Sequence, residues 1–290
     1  MGKVGLVLEG GGMRGLFSAG VVDVLLENDI HLDAVVGVSA GACFGCNYPS
    51  HQQGRALRYN LTYAHDKRYC SFKTFLRTGD LFGAEFCYDY LPLTLDPFDA
   101  ETFGTSGIPF WVVCTNVATG EAVYHQCGSD VRETLSWIRA SSSMPIVSRT
   151  VRIGTEEYLD GGIADPIPLR FFVDEGYERN VVVLTQPIDY VKKQSSVFPA
   201  MRLALRKQPA IAAAMERRPE VYNDSRSFVL EQQQAGAALV LCPDEALPAG
   251  RTEHDRAKLQ ATYDAGRRVA KRNLDTLRDF VAPSTRPVSK

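Results

Sequence analysis

Gly37-Val38-Ser39-Ala40-Gly41 follows directly on the apolar run Ala34-Val35-Val36, so a strand delivers a serine into a turn whose neighbours are all small. A pentapeptide of the form Gly-x-Ser-x-Gly turns up by chance in about one chain in ten of this size at ordinary Gly and Ser usage. Context gives the motif its meaning. A strand in front and a small-residue helix start behind, Ala40-Gly41-Ala42, are the surroundings of a nucleophile elbow. The reason is steric: a serine pushed out of a strand-to-helix turn holds a strained backbone, and flanking glycines remove the side chains that would clash.

Outward from the elbow, the first part of the chain reads as a βαβα unit. It has a strand over 3–8, a Gly-rich loop, a helix over about 15–27, a strand over 33–38 and a second helix through Cys46. Two successive β-to-α passages imply an α/β fold with a mostly parallel central sheet flanked by helices. Residues 66–108 are aromatic yet broken by Gly79, Gly83, Pro92 and Pro97, which predicts short helices and loops. They are either irregular structure beside the core or an aromatic rim over an apolar substrate site. Sheet signals return at 110–114, 122–126, 151–153, 157–159, 180–185 and 237–242, and a long charged helix is predicted over about 253–281. The organisation expected is an α/β catalytic core over 1–186, an accessory helical segment over 187–225, and a strand plus long helix over 226–290 that completes the core.

Composition excludes several classes. With 45% hydrophobic and 23% charged residues, 290 residues can bury one large core or one core plus a small lobe. A net charge of -2 gives no general pull toward nucleic acid, and no zinc-finger spacing, Walker loop or RNA-binding signature is present. Nucleic acid is not an expected partner. The strand Val4–Leu8 begins almost at once, without a signal-peptide core, and no later stretch is apolar enough to span a bilayer. Leu6 stands where a myristoylation signal needs Ser or Thr. The expectation is a cytoplasmic protein whose membrane contact, if any, is peripheral. The seven cysteines are odd in number and mostly set among apolar residues, so they read as reduced core thiols. That reading includes Cys43-x-x-Cys46, which has no second pair at a zinc-like interval. No metal and no cofactor are expected, and nothing in the sequence speaks to oligomeric state.

Gly10-Gly11-Gly12-Met13-Arg14-Gly15 fits G-x-G-x-x-G after a strand and before a helix, which on its own suggests a dinucleotide site. That reading needs an acid at the end of the second strand, and there the chain has Gly37-Val38-Ser39; Asp33 precedes the strand, on the wrong side of the sheet. The loop suits an oxyanion better, because successive backbone N–H groups at a helix start carry partial positive charge, with Arg14 as a cation beside them. A serine hydroxyl also needs a base. Of the five histidines only His254 follows the best acid candidate, and its setting, Thr252-Glu253-His254-Asp255, reads as helix capping. Asp160-Gly161-Gly162 offers an alternative: an aspartate at a strand end, followed by two glycines that let it approach another loop closely.

Gly-rich loop, Gly-x-Ser-x-Gly elbow and Asp-Gly-Gly, in that order, resemble the patatin-like phospholipases, lipid acyl hydrolases that use a Ser-Asp dyad on an α/β sheet. Ser142-x-Met144-Pro145 and Asp165-Pro166-Ile167-Pro168 look like the pattern flanking that family's aspartate. Arg218-Pro219 with Tyr222-Asn223, and Tyr263-x-x-Gly266, look like a bacterial subgroup. The resemblance implies that Ser39 is the nucleophile and Asp160 the general base, with Gly10 to Gly15 forming the oxyanion hole and a lipid or ester as substrate. Asp165 departs from the Asn of many relatives, which leaves the role of this second carboxylate open. A catalytically silent lipid-binding or scaffold protein on the same fold is the alternative, with a nucleotide-binding oxidoreductase behind it. The stretch 192–218 mixes Lys192, Lys193, Arg202, Arg206, Lys207, Arg217 and Arg218 with apolar residues. Such a mix suits either a helix lying on an anionic membrane or a solvated helical face packed on the core.

Overall fold

A computed structural model describes residues 2–282 of the chain; residues 283–290, the Pro- and Ser-containing tail, lie outside the described residues. One 8-stranded sheet contains β1 (Val4–Leu8), β2 (Ala34–Val38), β3 (Phe110–Asn116), β4 (Ala122–Cys127), β5 (Val151–Ile153), β6 (Glu156–Asp160), β7 (Arg179–Val183) and β8 (Ala238–Leu241). The helices up to the middle of the chain are α1 (Leu16–Glu27), α2 (Ala40–Gly45), α3 (Arg55–Tyr63), α4 (Phe72–Thr78), α5 (Ala100–Thr105) and α6 (Val131–Ser141). After them come α7 (Leu169–Asp174), α8 (Phe198–Ala204), α9 (Pro209–Gln234), α10 (Arg256–Arg272) and α11 (Leu274–Val281). A π-helical stretch covers Phe86–Leu95.

Strand order is β5-β6-β3-β2-β1-β7-β8, with β4 on the other edge of β3. β1 pairs in parallel with β2 and β7, β2 with β3, and β7 with β8, while the antiparallel pairs gather around β3 and β6. β1 is buried along its whole length. That is why it reads as an almost unbroken apolar run, as strands covered on both faces do. Leu6 and Leu8 face a layer built with Phe17 and Val21 of α1 and Val269 of α10, whereas Val7 packs with Phe172 of α7 and Val229 of α9. The sheet is thus the middle of three layers.

One expectation changes in detail. The long C-terminal helix divides at Asn273, whose side-chain amide donates to the Val269 carbonyl at 2.8 Å. Asn competes in this way for the backbone of the preceding turn. In the segment 192–218 the apolar residues do not form one outward face: Phe198, Leu205, Ile211 and Met215 are buried against Leu159 and Ile163, leaving Val197 and Leu203 exposed. Lys192 and Arg218 turn to a cavity described below, away from the exposed Arg206 and Lys207. α9 runs unbroken through residue 225, the expected end of the accessory segment.

The C-terminal helix locks onto the N-terminal one at two glycines. A Cβ at Gly20 of α1 would strike the Tyr263 carbonyl oxygen, and one at Gly266 of α10 would strike the Phe17 carbonyl oxygen. The backbones approach too closely for any side chain at the crossing. Tyr263 then donates to Asp23 at 2.6 Å, and Arg267 pairs with Glu27. The Gly266→Ala substitution should cost about 1–3 kcal/mol of stability, the scale of overpacking in a core. Gly250→Ala, where a methyl group meets open space, should change little. Urea denaturation of both variants checks this; equal midpoints would show that the crossing relaxes freely.

Candidate active site

Strand β3 is shared along one edge by two strands that meet end to end. β2 pairs with it as far as Val38 opposite Val113, and β6, antiparallel, pairs from Asp160 opposite Cys114. β4 pairs with the same residues of β3, so it must occupy the other edge. The residue after Val38 is Ser39, and it therefore arrives beside Asp160 by register alone. The Ser39 Oγ donates to Asp160 Oδ2 at 2.7 Å.

Ser39 has φ 55 and ψ −120, a region that side-chain-bearing residues rarely enter and that costs of order 1–3 kcal/mol. The surroundings hold it there. Its N–H donates to the hydroxyl of Ser141 at 2.8 Å, and that fully buried hydroxyl donates onward to the Val113 carbonyl at 2.6 Å. A Cβ at Gly41 would strike the Leu8 carbonyl oxygen, and one at Gly37 would lie 2.5 Å from the Gly41 carbonyl oxygen. Both glycines of the pentapeptide are therefore needed for close approach, with Val38 and Ala40 buried between them.

Asp160 is 2% exposed. Its Oδ1 accepts from the Gly162 N–H at 2.8 Å, and Gly161 fits against the Val113 carbonyl, where a Cβ would collide. Burial raises its pKa above the ordinary carboxylate value, opposed by the Ser39 hydrogen bond, the Arg218 charge and the Gly162 N–H. Arg218 donates from Nε to the Gly162 carbonyl at 2.6 Å, so α9 braces the loop that carries the aspartate. Asp165 serves a different purpose. It accepts from the Tyr124 hydroxyl at 2.8 Å and from the Ile167 N–H, anchoring the chain behind the loop.

The Gly-rich loop lies across from Ser39, with Gly10 so near that a Cβ on it would be 3.0 Å from the Ser39 Cβ. The Gly10 carbonyl accepts from the Thr185 hydroxyl at 2.8 Å, so across that planar peptide the Gly11 N–H points the opposite way. Among the described residues, the N–H groups of Gly10 and Gly11 have no protein acceptor. Gly12, with φ +59, presses against the Arg251 carbonyl, and the Met13 N–H donates to that same oxygen at 3.1 Å. The Met13 amide is therefore engaged, and Gly15 packs against Ala40, so the loop's free donors narrow to its first glycines.

A cavity of about 280 Å³ contains these groups. Its apolar arm is walled by Phe44, Tyr59, Phe82, Tyr88, Leu91 and Phe98, so the aromatic stretch 66–108 takes part in the site, largely through the π-helical turn. Its polar end contains Glu9, Arg14, Lys192, Arg218, Tyr222 and Arg251. No histidine lines it among the described residues. His125 stacks on Trp137 at 4.0 Å, and His254 Nδ1 lies 3.0 Å from the Ala64 carbonyl. Cys43 also lines it, but burial raises that thiol's pKa and pushes Cys46 up to about 12, so both stay protonated at neutral pH.

Sequence reading alone did not assign Glu9, Ser141, Lys192, Tyr222 or Arg251 to the site. Arg218 and Tyr222, which in the sequence only resemble a bacterial subgroup's pattern, lie four residues apart on α9 and so share one helix face. Lys192 and Arg251 sit in loops and carry no periodic signal.

Residues 6–173 match the family model for patatin-like phospholipase, and residues 208–282 match a domain of unknown function, DUF6363. YjjU of Escherichia coli K12, an uncharacterized protein, is 32% identical over 196 residues, which are 64% of this chain and 53% of that one. The lysophospholipase NTE1 of Debaryomyces hansenii is 30% identical over 197 residues, covering 64% of this chain and 12% of that protein. The chain thus spans about half the length of one relative and a small part of the other. VipD of Legionella pneumophila superposes with a TM-score of 0.42 and 14% identity over 93% of this chain and 67% of its own.

The raised pKa of Asp160 makes a prediction about stability. A carboxyl whose native pKa exceeds its unfolded value near 4 weakens the fold as it ionises, and the loss is complete once pH has risen through the native value. The Asp160→Asn variant removes that charge. Its melting temperature should match wild type near pH 4 and exceed it increasingly toward pH 7; a variant that melts lower at pH 7 than at pH 4, relative to wild type, would contradict the direction.

Proposed function

We propose that this chain, which belongs to the patatin-like phospholipase family, is a serine lipid acyl hydrolase working through Ser39 and Asp160. One observation carries the reading: the 2.7 Å hydrogen bond from the Ser39 hydroxyl to a buried carboxylate, inside a cavity with an apolar arm and no histidine among its described lining residues. The lysophospholipase relative supports a carboxylic ester of a lipid as the substrate class.

The reaction then has two halves. In the first, the Ser39 oxygen bonds to the ester carbonyl carbon while its proton passes to Asp160. The oxyanion faces the N–H groups of Gly10 and Gly11, the ester C–O bond breaks, and Asp160 returns the proton to the departing alcohol. In the second, water gives a proton to Asp160 and attacks the acyl-enzyme, and Ser39 leaves with that proton as the fatty acid is released. Burial suits Asp160 to this work, because a base is most effective when its pKa lies nearer the working pH than an ordinary aspartate's does. Each oxyanion donor is worth about 10²–10³ in rate, so the glycine loop contributes on the scale of the base itself.

A fluorophosphonate probe should label Ser39 alone, and Ser39→Ala should abolish both labelling and ester hydrolysis while leaving the fold intact. Asp160→Asn should lower kcat by about 10²–10⁴, the usual contribution of a positioned base. His254→Gln should retain most activity, and a loss equal to that of Asp160→Asn would replace the dyad with a triad. The acid limb of kcat/KM should fall above about pH 4, the ordinary aspartate value, because Asp160 must be ionised to act.

A further inference from the structure

Some of this protein's arginines are matched to carboxylates, among them Arg58 with Asp96, Arg68 with Asp66, Arg267 with Glu27 and Arg272 with Asp244, while others on the surface, such as Arg77, Arg206 and Arg217, have no such partner among the described residues. The cavity gathers several basic side chains of the second kind. Arg14, Lys192, Arg218 and Arg251 line one end of it, and among the described residues none of the four forms an ion pair. The Arg14 Nε is buried without any hydrogen-bond partner. Lys192 rests its ammonium 4.7 Å from the centre of the Tyr222 ring and has no carboxylate contact.

The carboxylates on hand do not balance these cations. Only Glu9 and Asp160 line the cavity among the described residues; Glu9 is 3% exposed and accepts from the Thr185 N–H at 2.6 Å, and Asp160 is held by Ser39 and Gly162. The four cations also act on one another. Lys192 is pushed down to about 7 by burial first, then by the charges of Arg218 and Arg251. A cluster under that strain is relieved by an anion.

We propose that Arg14, Lys192, Arg218 and Arg251 form a subsite for a lipid phosphate that carries net negative charge, a phosphomonoester headgroup, whose esterified acyl chain lies in the apolar arm beside Ser39. This deepens the acyl-hydrolase reading and rests on it. A zwitterionic headgroup fits poorly, since neither carboxylate of the cavity is free to hold its ammonium. Three of the four cations lie outside residues 6–173, and Arg218 and Arg251 lie within 208–282. The C-terminal segment thereby gains a role: it supplies the charged wall that selects the headgroup, while the N-terminal segment supplies the reacting groups.

Two experiments test this, one with turnover and one without. With dihexanoyl lipids below their aggregation threshold, so that no membrane surface intervenes, kcat/KM for phosphatidic acid should exceed that for phosphatidylcholine by about tenfold or more. The ratio of the phosphatidic acid rate to that for p-nitrophenyl butyrate should drop about tenfold in Lys192→Gln and in Arg251→Gln, and should hold in Arg206→Gln, an exposed cation outside the cavity. Equal rates on the two lipids, or an unmoved ratio in both cavity variants, would overturn the headgroup assignment. Separately, calorimetry on Ser39→Ala should detect inorganic phosphate binding that is lost when Lys192→Gln is added. Phosphate binding without preference for phosphatidic acid would assign the subsite to a free anion and overturn the lipid headgroup. Absence of phosphate binding would overturn the subsite. Failure of the hydrolase reading shows differently, as loss of all ester turnover with phosphate binding retained.

Discussion

One edge of β3 is where the structure is decided. A parallel strand arriving from the N-terminal unit and an antiparallel strand arriving from the middle of the chain stop against each other there, at Val113 and Cys114. Neither strand can lengthen by a residue without displacing the other. The hydroxyl and the carboxylate are consequently positioned where two backbone ladders end, Ser39 one residue beyond β2 and Asp160 at the close of β6. A slip of one residue in β6 would turn Asp160 to the opposite face of the sheet.

The features that serve the proposed chemistry cost stability, and the surrounding structure offsets them. Ser39 is held in a rare backbone conformation, Asp160 is buried, and four cations crowd the cavity. Ser141 restrains the first of these through a two-step hydrogen-bonded link to β3. The layers on either side of the sheet provide the burial that makes the rest tolerable, with β1 and β7 enclosed almost completely. Removing the strain or the buried charge is expected to yield a more stable protein that works less well.

Much of this was legible beforehand, because local patterns specify local geometry. An apolar run before Gly-x-Ser-x-Gly announces a buried strand and a tight turn, and Asp160-Gly161-Gly162 announces a strand end that another backbone can approach. The parallel sheet follows from the spacing of β1, α1, β2 and α2. Elsewhere the decisive information was tertiary. Ile211 and Met215 look as suited to a bilayer as to a core, and only the contact with Leu159 and Ile163 separates the two. Lys192 and Arg251 stand in loops whose course no periodicity fixes. Asn273 divides a helix that charge patterning predicts as continuous, through a side-chain bond that composition does not reveal.

The paired glycines where α1 crosses α10 join the beginning of the chain to its end, and the Arg251 carbonyl fixes the Gly-rich loop from the same direction. Contacts between such distant parts of a chain form late. During synthesis the elbow and the Asp-Gly-Gly loop emerge from the ribosome well before residues 251–266, and in that interval the loop beside Ser39 lacks the support that sets its shape. The growing chain then contains Ser39 and Asp160 before the contact that fixes the Gly-rich loop, so the arrangement around them is complete only once translation has passed α10.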